Sequence, residues 1–243
     1  MSSADWTVLT GALGVTYVKR GVTAGIAKPN GGGNFVYGFN SIELDEGVVA
    51  LMNNQANFTP MAKGGSVRAA IKRGAGSGVE GFAPFIFIGL QGTSVSDNAY
   101  ILGLGDDDPH HIVLRKGALS DGVPDSAPAP TASPRVLLRS SESFENDTWL
   151  HLRLDMIVEA TGDVILQVYQ NDLDTYTVSS PTWEVITGME GDQYPTITGF
   201  VDDSLGVNTG VTPYTSGYAG FGHYNNNVGR QSFFDHLVIG RQL

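Results

Sequence analysis

Residues 149–170 read WLHLRLDMIVEATGDVILQVYQ, and their pattern decides the class of fold. Leu150, Leu152, Leu154, Met156 and Val158 alternate with His151, Arg153 and Asp155. Successive side chains of an extended chain point to opposite faces, so this period of two describes a half-buried strand. EATGD then supplies turn residues, and Val164, Leu166 and Val168 resume the alternation. Two alternating runs around a glycine-containing turn predict a β-hairpin. On this reading His151 lies opposite the leucine row, on the surface, and Trp149 starts a core strand.

Working outward, short runs of the same kind recur: 34–44, 66–73, 84–90, 99–105, 111–117 and 135–141, each bounded by Gly, Asn, Asp or Pro. PFIFIGL (84–90) is apolar on both faces, as a central strand between two packed layers is. This spacing of many short strands predicts an all-β protein with two packed antiparallel sheets. Neither heptads nor an internal repeat interrupts the pattern. Residues 120–135, rich in Pro, Ala and Ser, read as an extended exposed loop, and 202–216 as a second long loop. Residues 1–33 end in NGGG and are read as either an arm that packs on a neighbour or the first strand and its loop. The unit expected is one sandwich domain over 1–243.

Composition narrows the function classes. The formal net charge is −11, which repels phosphate backbones and argues against nucleic-acid binding. The basic pairs Lys19/Arg20, Lys72/Arg73 and Arg115/Lys116 are short and scattered, and are read as solvated strand ends. With no cysteine there is no disulfide, no thiolate zinc site and no thiol nucleophile. No stretch approaches the length of an apolar membrane span, so membrane insertion is not expected. The N-terminal stretch has no basic region leading into a clean apolar core, so the expectation is a chain folded in a cytoplasm.

Three segments carry a family resemblance. NAYILGLGDDDPHHIVLRKG (98–117) pairs a Tyr-led strand with an apolar strand ending in a basic residue and Gly. FENDTWLHLRLDMIVEATGDVILQVYQND (144–172) is a Trp-led strand, a Gly-Asp turn and a return strand. GYAGFGHYNNNVGRQSFFDHLVIG (217–240) reads as a closing hairpin. Together they resemble the concanavalin A-like jelly roll of lectins, laminin-G-like domains and some glycoside hydrolases. The resemblance covers residues 98–243 well and the first third poorly. It implies an antiparallel two-sheet jelly-roll sandwich closed by the last strands. Phe233, Asp235, Leu237 and Ile239 would then share one face, with Asp235 a hydrogen-bonded anchor in an apolar row.

The laminarinase-type hydrolases of this fold carry Glu-x-Asp-x-(x)-Glu on one strand. In SIELDEGVV (41–49), Glu43 and Asp45 match the first two positions, but Gly47 or Val48 stands at the third, and Glu46 points to the opposite face. Without its second carboxyl a retaining hydrolase cannot complete double displacement. In GDDDPHHI (105–112), Asp106 and Asp108 are oxygen ligands of the kind calcium takes, and His110 stands beside them. In HYNNNVG (223–229), Asn225, Asn226 and Asn227 offer amides to sugar hydroxyls. These six residues are the candidate glycan site; 105–112 also reads as an acidic hairpin loop and 223–229 as a plain loop, and no cofactor is expected, with Asp106 and Asp108 the calcium candidates. Trp6, Trp149 and Trp183 are candidates for a stacking platform. GSGVEG (76–81) matches a dinucleotide-binding pattern but leads into a strand rather than a helix, so it is read as a loop.

None of these patterns completes a catalytic set, so a non-enzymatic protein is expected. Glycine-rich loops, a Pro/Ala excursion and a lectin-like sandwich are similar to accessory proteins of tailed bacteriophage virions. That resemblance implies a tail, baseplate or head-decoration subunit in a virion, folded in the host cytoplasm. Its partners would be other virion proteins, copies of itself and cell-surface glycans. The alternative reading is a calcium-assisted, glycan-binding lectin module, and a third is the hydrolase.

Overall fold

The structure, a computed structural model, describes residues 5–10, 16–21, 36–41, 47–58, 64–74, 82–105, 110–121, 135–171, 181–186, 199–205, 211–225 and 231–241. Two antiparallel sheets face each other. The first holds seven strands: β1 (Trp6–Thr10), β4 (Gly47–Phe58), β14 (Gly217–Asn225), β6 (Phe82–Leu90), β7 (Asn98–Leu104), β8 (His110–Ala118) and β9 (Arg135–Phe144), in that spatial order. The second runs β12 (Trp183–Val185), β11 (Val164–Asn171), β10 (Trp149–Val158), β5 (Gly64–Arg73), β15 (Gln231–Arg241), β3 (Val36–Ser41), β2 (Thr16–Gly21). β13 (Phe200–Asp202) also pairs with β11, along the half that β12 leaves uncovered. This is the expected all-β, antiparallel two-sheet sandwich.

The alternation read at 149–170 holds. β10 and β11 form the hairpin, with Leu154 opposite Val168 and Met156 opposite Leu166. Their turn carries Gly162 at φ +91, a conformation that suits a residue without a Cβ. The inward rows of both sheets make one core: Val67, Ala69 and Ile71 of β5, Leu150 to Met156 of β10, Ile86 and Ile88 of β6, and Phe221 and Phe234. A second apolar cluster covers the outer face of the seven-stranded sheet, where Phe85, Phe87, Ile101 and Val113 pack with Val95 and with Leu119 of a 3-10 turn. PFIFIGL is therefore buried on both faces.

The ending differs from the expected hairpin. β14 inserts between β4 and β6 in one sheet, while β15 inserts between β5 and β3 in the other. The two strands face each other across the core rather than pairing. A register shift between Asp235 and Val238, with His236 at φ 50, also moves the chain by one residue. Because of this bulge, Phe234, Leu237 and Ile239 pack on the inter-sheet core, and Phe233 and Asp235 lie on the other face. The expected Phe233–Ile239 row is corrected accordingly.

Two strands lie within the expected N-terminal arm. β1 is an edge of the first sheet and β2 an edge of the second. Of the Pro/Ala excursion, Ser120, Asp121 and Arg135 fall in the 3-10 turn and β9, and 122–134 lie outside the described residues.

Candidate functional site

Asp106, Asp108, Asn226 and Asn227 lie outside the described residues, as do Glu43, Asp45 and Glu46. Asn225 ends β14, and its side chain is likewise not described. His110 opens β8 and is 0% exposed, pointing between the sheets, so its ring does not reach a ligand in solvent. It joins Arg73, His223 and Ser232, all buried, at one end of the sandwich interior. There His223 Nδ1 and Ser232 Oγ are 2.7 Å apart across the two sheets, and Arg73 Nη1 donates to the Gly105 carbonyl at 3.0 Å. Burial, then Arg73, lowers the His110 and His223 pKa values to about 3, so both rings are neutral. The cluster is a polar plug in the core.

Two of the three basic pairs are not solvated strand ends, and the side chains of the third, Lys19/Arg20, lie outside the described residues. Lys72, Arg73, Arg115 and Lys116 are all buried. Adjacent residues of a strand point to opposite faces, and each pair sits where both faces are covered. Lys72 pairs with Asp147 at 2.5 Å and lies 5.9 Å from the Trp149 ring centroid. Arg115 points into the outer apolar cluster, where Nη2 donates to the Ala118 carbonyl at 2.8 Å.

Aromatic and charged groups with partial exposure converge on the outer face of the eight-stranded sheet. The odd residues of β10 place His151, Arg153 and Asp155 there, against Ala70, Arg68 and Ser66 of β5. Tyr169 and Trp183, from β11 and β12, extend the same face at its edge. Arg153 grips Asp155 with two hydrogen bonds, Nε at 2.8 Å and Nη2 at 2.5 Å. Its guanidinium stacks 5.0 Å from the Tyr169 ring and 5.9 Å from Trp183. The bond to Asp155 raises the Arg153 pKa, and burial raises that of Tyr169. Both side chains, like Trp183, keep partial exposure.

His151, expected on the surface, is 1% exposed because the Trp183 ring covers it at 4.8 Å. Burial lowers its pKa to about 4, followed by Arg68 and His236. On the neighbouring β15 bulge, Asp235 Oδ1 accepts from the His236 N–H at 2.7 Å. Among the described residues, the two non-glycine residues with positive φ, Asp147 and His236, both adjoin this face. Such backbone is uncommon outside glycine and concentrates at functional sites. Of the three tryptophans, Trp183 and Trp149 contribute to this face. Trp6 packs edge-on against Phe221 of the core instead. Trp149 opens the core strand β10, as its reading as the first residue of a core strand expects.

The arrangement offers ring faces beside a partly exposed guanidinium that the buried Asp155 holds in place. Among the described residues no group of three His, Cys, Asp or Glu is disposed to hold a metal. The signal missed in the sequence was the edge: Trp183 and Tyr169 belong to short or outermost strands, where an aromatic ring has no second sheet to enter.

No family model matches the sequence, and no curated protein matches it at a significant level. Solved structures do match the fold. The carbohydrate binding module CBM66 from Bacillus subtilis aligns with a TM-score of 0.52 at 10% identity, covering 97% of this chain and 95% of that one. The VIP36 exoplasmic/lumenal domain in a Ca2+/Man3GlcNAc-bound form gives 0.51 at 12% identity, with 99% and 86% covered. The marine PL-14 alginate lyase from Aplysia kurodai gives 0.53 at 9% identity, with 93% and 87% covered. At these identities the likeness is one of fold, and it makes the chain a lectin-like, concanavalin A-like jelly-roll sandwich.

Proposed function

We propose that the protein is a non-enzymatic, lectin-like carbohydrate-binding module whose saccharide site is the outer face of the eight-stranded sheet. One observation carries the reading: the Arg153–Asp155 fork is held beside the partly exposed rings of Tyr169 and Trp183. A pyranose presents an apolar C–H face and a rim of hydroxyls. The rings suit the first, and the partly exposed Arg153 guanidinium, held in place by the buried Asp155, suits the second. The fold likeness adds support, since two of the similar structures are a carbohydrate binding module and a domain solved with Man3GlcNAc. The third is a lyase, so the fold alone does not decide between binding and catalysis.

A glycan array with and without calcium tests this, followed by titration of any ligand found. Trp183→Ala is expected to weaken binding at least tenfold while Asp106→Ala and Asn226→Ala leave it intact. The opposite pattern moves the site to the 105–112 and 223–229 loops, and silence across a broad panel removes the reading. Placement in a virus particle rests on the sequence resemblance alone. It is tested separately, by whether the chain sediments with capsid and tail proteins in a gradient of purified particles.

A further inference from the structure

Lys116 and Asp202 meet between the sheets, one from β8 and the other from β13. Their side chains are 3% and 0% exposed, with Nζ and Oδ2 2.6 Å apart. Nζ also donates to the Val211 carbonyl at 2.7 Å and the Thr212 carbonyl at 2.9 Å. On the other side, the Tyr100 hydroxyl donates to the same Asp202 Oδ2 at 2.5 Å and accepts from the Tyr214 N–H at 2.9 Å. The Tyr214 ring lies 4.6 Å from Nζ and the Tyr100 ring 5.8 Å. An amine and a carboxyl are thus held in contact behind aromatic walls, with a phenol on one carboxyl oxygen.

Moving one proton from Nζ to Oδ2 across their 2.6 Å contact exchanges the enclosed ion pair for a neutral amine and a neutral acid. Those are the forms that react. The two N–H bonds left on Nζ are held by the Val211 and Thr212 carbonyls, and the lone pair takes the direction that faced Asp202.

We propose that Lys116 and Asp202 condense to an intramolecular isopeptide bond. The Nζ lone pair attacks Asp202 Cγ, and the carbonyl π electrons move to Oδ1. Collapse restores that carbonyl and breaks the Cγ–Oδ2 bond. Oδ2 leaves as water, keeping the proton first received from Nζ and gaining a second that Nζ releases. Tyr100 sits on the leaving oxygen, where it gives its proton to Oδ2 and takes the one from nitrogen. One N–C bond forms, one C–O bond breaks and one water is released, with no change of oxidation state and no co-reactant. Contact within a fixed geometry supplies the effective concentration such a condensation needs. The product is a covalent tie between the two sheets of a cysteine-free chain.

Mass spectrometry of the purified full chain decides the matter. The intact denatured protein is expected to be lighter than its sequence by one water. After trypsin, the peptide holding Lys116 should be joined to the one holding Asp202, with no cleavage after Lys116. Lys116→Met and Asp202→Ala should each restore the full mass. A full sequence mass with clean cleavage after Lys116 overturns the proposal. So does a water lost within a single peptide, as in an aspartyl succinimide. Because the wild-type measurement suffices, a variant that fails to fold leaves the test intact.

Discussion

Arg115 shows how a charge can be read correctly as a residue and wrongly as a place. Among the described residues its Nε and Nη1 have no hydrogen-bond partner, and burial lowers its pKa to about 9. A buried guanidinium with unmet donors costs more than an apolar side chain of similar length. Arg115→Met should therefore raise stability by roughly 1–3 kcal/mol in urea unfolding, and a loss of that size would show that the charge is needed. Trp183 permits a second test. Its ring covers His151, so Trp183→Ala should raise the His151 pKa from about 4 toward the ordinary 6.5, followed by imidazole NMR. An unmoved titration would mean that Trp183 is not what buries the ring. Alternation identified the leucine rows around these residues. It gave His151 its correct face but the wrong exposure, and likewise left Lys72/Arg73 and Arg115/Lys116 exposed, because periodicity gives a face, not what covers it.

Among the elements, the hairpin β10–β11 and the strands β5 to β9 were legible because their apolar rows are long and regular. β4, β12 and β13 were not. β4 turns from Gly-Val-Val-Ala-Leu-Met to Asn-Asn-Gln-Ala-Asn, so its second half reads as loop although pairing carries it to Phe58. β12 and β13 have three residues each, too few to show a period. The β15 bulge defeated the register itself, since one extra residue exchanges the two faces of everything beyond it. Gly220 shows how tightly β14 is fitted between its neighbours: a Cβ there would lie 2.0 Å from the Leu51 carbonyl oxygen and 2.6 Å from the Phe87 ring. Gly220→Ala should lower stability by about 2–4 kcal/mol by strand displacement. An unchanged unfolding midpoint would mean that β14 is not seated between β4 and β6. The polar plug was hidden for a related reason: Arg73, His110 and the neighbouring strands that carry His223 and Ser232 are far apart in sequence.

For the molecule as a whole, acid is the informative variable. His110 and His223 titrate near pH 3 and His151 near pH 4 in the folded chain, against 6.5 when unfolded. Above pH 6.5 all three are neutral in both states and contribute no slope. Below it the unfolded chain takes up protons that the native chain refuses, so stability falls from pH 6.5 toward about 3. The slope is about 1.4 kcal/mol per pH unit for each histidine. Chemical denaturation at stepped pH should show this fall, and His223→Phe should flatten it; a flat wild-type profile would contradict neutral burial. The edges offer another check. Removing residues 1–10 strips β1 from β4 and leaves a long bare strand edge, so light scattering should report association. A monodisperse truncation would instead fit a dispensable arm. The placement of β14 and β15 also bears on how the chain is made. Each is an interior strand, yet each is synthesised after its neighbours, so β4 and β6, and likewise β5 and β3, must wait for the strand between them. At about 5–20 residues per second, β4 leaves the ribosome on the order of ten seconds before β14 does. Throughout that interval the nascent chain carries two unfinished sheets, and a product released early has no half that can close on its own.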